Sequence, residues 1–282
     1  MNPIDQTAAD EFDLTIEAGH AERNYWGDLW RYRELFWFLV WRDTLVRYKQ
    51  TVMGVAWALI RPLLTMAVFT VVFGKLAKLP SGNAPYPVLV FAAMLPWQFA
   101  ASAMSEAANS LTSNSNLISK VYFPRLIVPA SSVLTSFVDF LISAVFLAAL
   151  MAWYGCRPDL RVLTLPLFTL LGVAAALGPG LWLCALNVKY RDFRYVVPFI
   201  VQFGLYISPV GFSSSVVPER WRLLYSVNPM VGVIDGFRWA LLPGGATLYW
   251  PGFVMSVVLT VLLLWSGLWY FRRTEKTFAD VI

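Results

Sequence analysis

The sequence has few of the side chains from which metal centres and catalytic sites are usually built. Among its 282 residues there is one histidine, His20, and there are two cysteines, Cys156 and Cys184. A single histidine excludes a histidine-based metal centre or catalytic site, and two cysteines are too few for a disulfide framework. We therefore expect no metal ligands and no catalytic residues, and we interpret both cysteines as packing residues.

Charge is scarce as well. Charged residues make up 14% of the sequence, against 58% hydrophobic residues and a mean hydropathy of +0.60. These values lie outside the range of soluble domains and indicate an integral membrane protein. The net charge of +5 is therefore interpreted through the sidedness of lysine and arginine in membrane proteins, and we expect no nucleic-acid partner.

The amino terminus lacks the basic start and apolar core of a signal peptide. Seven of the 17 acidic residues lie within residues 1–28, where Arg23 is the one basic residue. We predict that residues 1–27 form an acidic, mobile cytosolic tail that is not cleaved.

Residues 28–50 are rich in both aromatic and basic side chains. At about 100° per residue, a helix would gather the aromatic residues on one stripe and basic residues on another. We predict an amphipathic interface helix in the headgroup layer, where tryptophan anchors and cations meet lipid phosphates; a spanning helix is disfavoured by the density of charge. Its functional residues are Trp30, Trp37, Trp41, Arg42, Arg47, Tyr48 and Lys49.

The rest of the chain, residues 51–282, contains six long apolar runs. A helix needs about 20 residues to cross the hydrocarbon core, and most of the runs reach that length. The fifth run is short and contains Pro209 and Gly211, so we expect a bent or discontinuous span there. The predicted spans are residues 52–76, 88–108, 126–153, 162–188, 196–212 and 252–271.

Between the second and third spans lies a polar segment, residues 109–125, with the sequence NSLTSNSNLISKVYFPR. Its Ser, Thr and Asn side chains favour caps and turns. Apolar residues then follow between Lys120 and Arg125, and Pro124 stops the helix. We predict a short amphipathic helix where two spans meet water; an ordinary loop is the alternative.

The distribution of lysine and arginine predicts the orientation. With the amino terminus inside, cytosolic segments hold 14 of these residues and outer segments hold seven, while Arg61 lies within the first span. This excess favours two cytosolic termini and a cytosolic segment 109–125.

Two short helices are predicted on the outer side, within residues 217–244. Pro218 begins the first, Asn228 and Pro229 form the capped start of the second, and Gly244 and Gly245 end it. They could act as lids or as a re-entrant hairpin; a surface loop is the alternative. The residues of interest are Trp221, Tyr225, Asp235 and Arg238.

Two charged residues lie within the spans. Asp139 is near the middle of the third span, where an ionised carboxylate costs about 2.5–3.5 kcal/mol, so it needs a partner or a cavity. Arg61 is the obvious cation for it, although Arg61 could instead extend towards lipid phosphates. Glu106 and Asp192, near the cytosolic ends, are expected to be solvated or paired with another subunit.

Three segments carry a family resemblance: residues 39–63, residues 116–125 with NLISKVYFPR, and residues 227–244 with VNPM and DGFRWALLPG. They resemble the membrane subunit of type-2 ABC exporters, in particular the permeases that export O-antigen, capsule or teichoic acid. The resemblance implies a surface-lying interface helix, outer gate helices, and a coupling helix seated in an ATPase. The coupling residues would be Leu117, Ile118, Lys120, Tyr122, Phe123, Pro124 and Arg125.

The resemblance also implies the partners. The chain lacks the phosphate-binding pattern G-x-x-x-x-G-K-[ST], since its one Gly-Lys pair, Gly74–Lys75, is followed by Leu76. We therefore expect a homodimer with two separate ABC ATPase subunits that bind ATP and Mg, and no cofactor in this chain. The implied location is the bacterial inner membrane, and the implied substrate is a lipid-linked polysaccharide whose pyrophosphate could meet Arg61, Arg42, Arg47 and Lys49.

A sugar polymer needs flat apolar faces and hydrogen-bonding groups along its path. The fifth span offers aromatic side chains on one face, with a glutamine beside them; the alternative is that they pack against helices or lipid. Together with the two intramembrane charges, the candidates for the substrate path are Tyr195, Phe199, Gln202, Phe203, Tyr206, Arg61 and Asp139.

Two rival functions share this fold class, an all-α integral membrane protein with six transmembrane helices. One is an ABC permease for a drug or a lipid, since fold alone does not choose the substrate. The other is a membrane-embedded glycosyltransferase, which would need clustered carboxylates or a metal site near the spans; the sequence shows no such cluster.

Overall fold

The computed structural model describes residues 25–49, 54–82, 84–190, 192–242 and 247–278, with side chains described from residue 59 in the second range. Every regular element in these ranges is helical, which confirms the all-α prediction. Residues 1–24 of the predicted acidic tail and the predicted helix end at Gly244 and Gly245 lie outside the described residues, while residues 25–27 belong to a helix.

Six apolar helices form the bundle in the part of the chain that the structure describes. Five of them are long and apolar enough to cross a membrane, where the first counts together with a π-helical extension over Thr70–Leu76. The fifth in chain order, α8, has 15 residues and is shorter than the roughly 20 residues that a span needs. The six helices are α3 (Gly54–Phe69), α4 (Tyr86–Ser113), α6 (Ile127–Trp153), α7 (Leu165–Lys189), α8 (Phe193–Ile207) and α11 (Trp250–Thr274).

The shorter helices lie at the ends of the bundle. The predicted interface helix is two helices that meet at Tyr32, and both predicted gate helices are present. The Asn228 side chain accepts a hydrogen bond from the Met230 amide at 3.0 Å, which caps the second gate helix as the sequence predicts. These helices are α1 (Tyr25–Arg31), α2 (Arg33–Lys49), α5 (Ser115–Ile118), α9 (Glu219–Tyr225) and α10 (Pro229–Leu241), with short 3₁₀ turns at Leu160–Thr164, Ser214–Val216 and Glu275–Thr277.

Helix α4 is the centre of the bundle and the most buried of the spans; it packs against α3, α6, α7, α8 and α10. Its many alanines allow close approach, as is typical of helix packing in membranes. A methyl group on Gly180 of α7 would lie 3.0 Å from the Ala107 side chain. Helices α7 and α11 are closer still, because a methyl group on Gly267 would lie 2.3 Å from the Gly178 carbonyl oxygen.

Helix α4 runs to Ser113, so the predicted end of the second span near Ala108 is wrong by five residues. The polar side chains that suggested a turn instead bond back to the helix: the Asn109 amide donates to the Ser105 carbonyl and the Thr112 hydroxyl to the Asn109 carbonyl. Asn187 of α7 also donates to the Asn109 side chain at 3.0 Å. The segment thus lengthens α4, and α5 is a single turn.

The two ends of the bundle are defined by different contacts. At one end α2 meets the turn that joins α4 to α5, through a hydrogen bond of 2.8 Å from Arg42 to Asn114. At the other end α10 meets the start of α4, through a bond of 3.2 Å from Arg238 to the Leu89 carbonyl. We call these the interface end and the gate end.

Candidate functional site

A charged cavity of about 490 Å³ lies between α2, α3, α4 and α6. Asp139 on its wall is 12 residues into α6, which is about 18 Å from the start of that helix. The cavity therefore extends from the interface end towards the middle of the bundle. Its polar and charged lining consists of Arg47, Tyr48, Arg61, Gln98, Ser102, Glu106, Ser136, Asp139 and Ser143.

An ion triad centred on Arg47 forms one wall of this cavity. The guanidinium donates to Glu106 of α4 and, at 2.5 Å, to Asp139 of α6. The Tyr48 hydroxyl donates to the other oxygen of Asp139. Burial and this hydrogen bond raise the pKa of the Tyr48 hydroxyl above its ordinary value. The triad thereby ties α2 to two transmembrane helices at once.

The cation that meets Asp139 is thus Arg47, and Arg61 is not part of that pair. Arg61 lines the same cavity, is exposed, and forms no ion pair within the described residues. Glu106 was expected to be solvated or paired with another subunit. Its side chain is 34% exposed in the cavity, and its partner is Arg47 of the same chain.

Part of the predicted aromatic stripe of α1 and α2 lies at the surface. Trp30, Trp37 and Trp41 are all exposed, as are the basic residue Lys49 and the neighbouring Phe38. Three predicted interface residues have partners in the chain instead: Arg47 is the centre of the triad, Tyr48 binds Asp139, and Arg42 binds Asp43 at 2.7 Å as well as Asn114. The opposite face packs inward through Leu39, which is buried.

The segment after α5 divides into buried and exposed residues. Ile118, Phe123 and Pro124 are buried, and Leu117 packs beside them, in an apolar cluster with α2 and the end of α11. Arg125 donates its backbone amide to the Glu275 carboxylate at 2.8 Å and its guanidinium to the Glu275 carbonyl.

Three consecutive residues of this segment remain accessible: Lys120, Val121 and Tyr122 are exposed. We call them the exposed tripeptide. It presents a cation, a branched apolar side chain and an aromatic ring on the surface of the interface end, beside the exposed hydroxyl of Ser119.

The fifth-span aromatic residues share one open face of α8. The exposed side chains are Tyr195, Phe199, Gln202, Phe203 and Tyr206. The Phe199 and Phe203 rings stack, with centroids 5.5 Å apart and planes 19° apart. The opposite face packs on the bundle, because Val197 is fully buried and a methyl group on Gly204 would lie 2.5 Å from the Trp97 ring. The five residues thus share the helix face that their spacing predicts, and their part in a substrate path stays a prediction.

The helical structure is interrupted after α8, where the sequence predicts a bent or discontinuous span. The helix ends at Ile207, before Pro209, and the backbone carbonyls freed there are satisfied by side chains from the gate end. The Tyr225 hydroxyl donates to the Ile207 carbonyl and the Tyr86 hydroxyl to the Gly211 carbonyl, both at 2.7 Å.

Arg238 supplies the other donors at this break. It is 3% exposed, and its guanidinium donates to the carbonyls of Val210 at 2.9 Å and Phe212 at 2.7 Å, besides Leu89. The other two predicted gate residues lie nearer the surface: Trp221 is exposed and Asp235 is half-buried. Arg238 therefore joins α10, α4 and the unwound segment after α8.

The family model for ABC-2 type transporters matches residues 34–242. The chain belongs to the ABC-2 type transporter family. The matched residues run from α2 to the end of α10, so they include the charged cavity, the exposed tripeptide, the α8 face and the gate helices of this ABC-2 transporter chain.

Curated relatives cover most of the ABC-2 transporter chain. The O-antigen export system permease protein RfbA of Klebsiella pneumoniae is 27% identical over 86% of this chain and 92% of its own length. The protein of the same name in Myxococcus xanthus is 26% identical over 90% of this chain and 98% of its own. The polysialic acid transport protein KpsM of Escherichia coli is 20% identical over 83% and 91%.

Replacing Arg238 by lysine in this ABC-2 transporter chain is expected to lower the stability of the gate end. Lysine keeps the charge but lacks the fixed fork that reaches three carbonyls, so at least one buried carbonyl loses its donor at a cost of about 1–2 kcal/mol. The measurement is the thermal unfolding midpoint of the purified protein. Arg220→Lys is the matched control, since Arg220 is exposed over the Trp221 ring. Equal midpoints for the two variants would show that the carbonyl bonds contribute nothing.

Proposed function

We propose that this chain is the membrane permease subunit of an ATP-driven exporter that moves a lipid-linked polysaccharide, O-antigen in the first place, across the bacterial inner membrane. The observation that carries the proposal is the similarity, over 86% and 90% of this chain, to two proteins named as O-antigen export permeases. The protein named for polysialic acid transport is less similar, at 20% identity, which favours O-antigen over capsule.

The proposed assembly is a homodimer of this chain with two ABC ATPase subunits, which bind ATP and Mg. The exposed tripeptide is the proposed docking surface for the ATPase. The location of the tripeptide supports this proposal. It begins two residues after the end of α5, it is exposed, and it lies next to an apolar cluster that joins α2, α5 and the end of α11. A force on this surface would therefore reach α2 and, through the Arg47 triad, α4 and α6.

The proposed orientation has both termini in the cytosol, supported by the excess of lysine and arginine in the segments at the interface end. In this orientation the charged cavity faces the cytosolic leaflet. Arg61, with no ion pair among the described residues, is the proposed ligand for the phosphate of the lipid-linked substrate. The hydroxyl and amide side chains of Ser102, Ser136 and Gln98 line the cavity beside it and suit sugar hydroxyls.

The test of the proposed function combines copurification with export. The tagged chain is purified gently from its native membrane, its companions are identified by mass spectrometry, and surface polysaccharide is assayed in a deletion strain. We expect an ABC ATPase in a one-to-one ratio, and loss of surface O-antigen that the intact gene restores. Absence of the ATPase under conditions that preserve other membrane complexes, or unchanged surface polysaccharide, would contradict the proposal.

Neutralising Arg61 is expected to reduce export while leaving the complex assembled. Arg61→Gln removes the proposed phosphate ligand, and the loss of one charge-assisted hydrogen bond corresponds to about a tenfold drop in export rate at limiting substrate. Arg61→Lys, which keeps the charge, should retain a larger part of the rate. Export rate and ATPase copurification are measured together. Equal export by the glutamine variant and the wild type would remove Arg61 from the substrate path.

The aromatic face of α8 gives a separate prediction. Phe203→Ala with Tyr206→Ala should reduce export severalfold without dissociating the ATPase, because flat rings against which sugars stack are removed from an exposed face. The variant with leucine at both positions keeps apolar bulk but no flat face, and it should fail to the same degree. Trp265→Ala, an exposed aromatic residue on α11, is the control with unchanged export. Full export by the leucine variant would show that bulk, not stacking, matters here.

A further inference from the structure

A second cavity is an apolar groove of about 990 Å³ between α6 and α7. It begins near Phe36 of α2 at the interface end and reaches Cys156 and Arg157 at the gate end. Buried side chains of two other helices, Phe99 of α4 and Phe237 of α10, line it as well. The groove arises because α6 and α7 both pack on α4 and contact each other far less.

The groove runs along much of the bilayer. Helix α6 has 27 residues and is therefore about 40 Å long, while the hydrocarbon core is about 30 Å thick. The rims are exposed apolar side chains such as Leu141 of α6 and Leu170 of α7. Since an apolar cavity of this kind does not bind water, a chain of hydrocarbon is the chemically matched occupant.

The gate end of the groove carries a cation. Arg157 lines the groove, is exposed, and has no hydrogen bond or ion pair to any described part of the chain. Arg161 nearby is different, because it pairs with Asp159 at 3.8 Å and lies 5.0 Å from the Trp239 ring centroid. Two exposed aromatic residues, Trp153 and Tyr154, adjoin Arg157, as is typical of the headgroup level.

We propose that this groove is a binding site for one phospholipid of the leaflet at the gate end, with its phosphate on Arg157 and an acyl chain between α6 and α7. A guanidinium binds a phosphate diester through two parallel hydrogen bonds. The charge is placed where a lipid phosphate lies, and the apolar lining begins directly below it. The proposed ligand is a phospholipid of the bilayer itself, so this proposal does not depend on which substrate is exported.

The test is retention of lipid through purification. The full chain, with its copurifying partners, is extracted from its membrane, washed in mild detergent and analysed by native mass spectrometry with identification of the retained lipids. We expect about one glycerophospholipid per chain in the wild type and at least a threefold lower amount in Arg157→Gln. Arg161→Gln, which removes the same charge from a residue that does not line the groove, should retain the wild-type amount.

A second pair of variants separates groove occupancy from charge. Ala148→Trp fills the groove, while Ala149→Trp adds the same ring at an exposed neighbour that does not line it. We expect the phospholipid to be lost from the first and kept by the second. Equal retention in all variants would overturn the proposal. It would also be overturned if the retained molecule were the lipid-linked polysaccharide, or if Ala148→Cys cross-linked two copies of the chain across this face.

Discussion

Replacing Tyr122 by alanine is expected to release the proposed ATPase partner from a chain that stays folded, whereas replacing the adjacent Phe123 is expected to destabilise the chain itself. Tyr122 is 46% exposed in the exposed tripeptide, and Phe123 is 4% exposed. Removal of a buried phenylalanine side chain costs about 3–5 kcal/mol. Removal of an exposed tyrosine ring at a protein interface weakens docking without a comparable effect on the fold.

Two measurements on the same preparations distinguish the variants. The ratio of ATPase to permease after purification should fall severalfold for Tyr122→Ala, while its thermal unfolding midpoint stays near that of the wild type. Phe123→Ala should show a clearly lowered midpoint, with loss of ATPase only as a consequence. Tyr154→Ala is the matched control, since Tyr154 is 45% exposed at the gate end. Full retention of the ATPase by Tyr122→Ala would place the docking surface elsewhere.

The sequence alone does not predict that Tyr122 is exposed while the adjacent Phe123 is buried. The apolar residues between Lys120 and Arg125 predict a short amphipathic helix that ends at Pro124, and this prediction is wrong: the helical turn ends at Ile118, and residues 119–124 are not helical. The burial of Phe123 depends on Phe271 and Phe278, which return to the interface end about 150 residues later in the chain. No local pattern carries that information.

Features that depend on a single helix were predicted well. The exposed aromatic face of α8 follows from a rotation of about 100° per residue, and the cap at Asn228 follows from the geometry of the first turn. The break before Pro209 is equally local, although the residues that satisfy the freed carbonyls, Tyr86 and Arg238, come from two other helices.

The pairing of the charged residues depends on contacts between helices and was predicted less well. Asp139 required a partner on energetic grounds, and the nearest basic residue within a predicted span was Arg61. The structure supplies Arg47 from α2, because α2 packs against α6. Periodicity assigns a residue to a face of its own helix but does not state which helix lies opposite. The same limit applies to Glu106, whose partner in this chain is also Arg47 of α2.

Neutralising Arg47 is expected to lower stability and to stop export, because this one guanidinium serves two carboxylates on two transmembrane helices. In Arg47→Gln, Glu106 and Asp139 face each other without their cation. Breaking a fully buried ion pair costs about 3–5 kcal/mol; these side chains are roughly a quarter to a third exposed, so we expect about 2–3 kcal/mol after solvent screening.

The measurement is the thermal unfolding midpoint together with export in a deletion strain. Arg42→Gln is the control on the same helix, since Arg42 is 36% exposed and pairs with a single carboxylate, that of the neighbouring Asp43, so the loss should stay below about 1 kcal/mol.

The triple variant Arg47→Gln, Glu106→Gln, Asp139→Asn separates folding from coupling. Removing all three charges relieves the uncompensated carboxylates, so the unfolding midpoint should return towards that of the wild type. Export should stay low, because α2 is then joined to α4 and α6 by neutral hydrogen bonds that transmit less force during ATPase closure. A triple variant that exports at the wild-type rate would limit the triad to a structural role. A single variant as stable as the wild type would contradict the pairing itself, since two carboxylates that lose a shared cation inside a membrane protein must either take up a proton or find another partner.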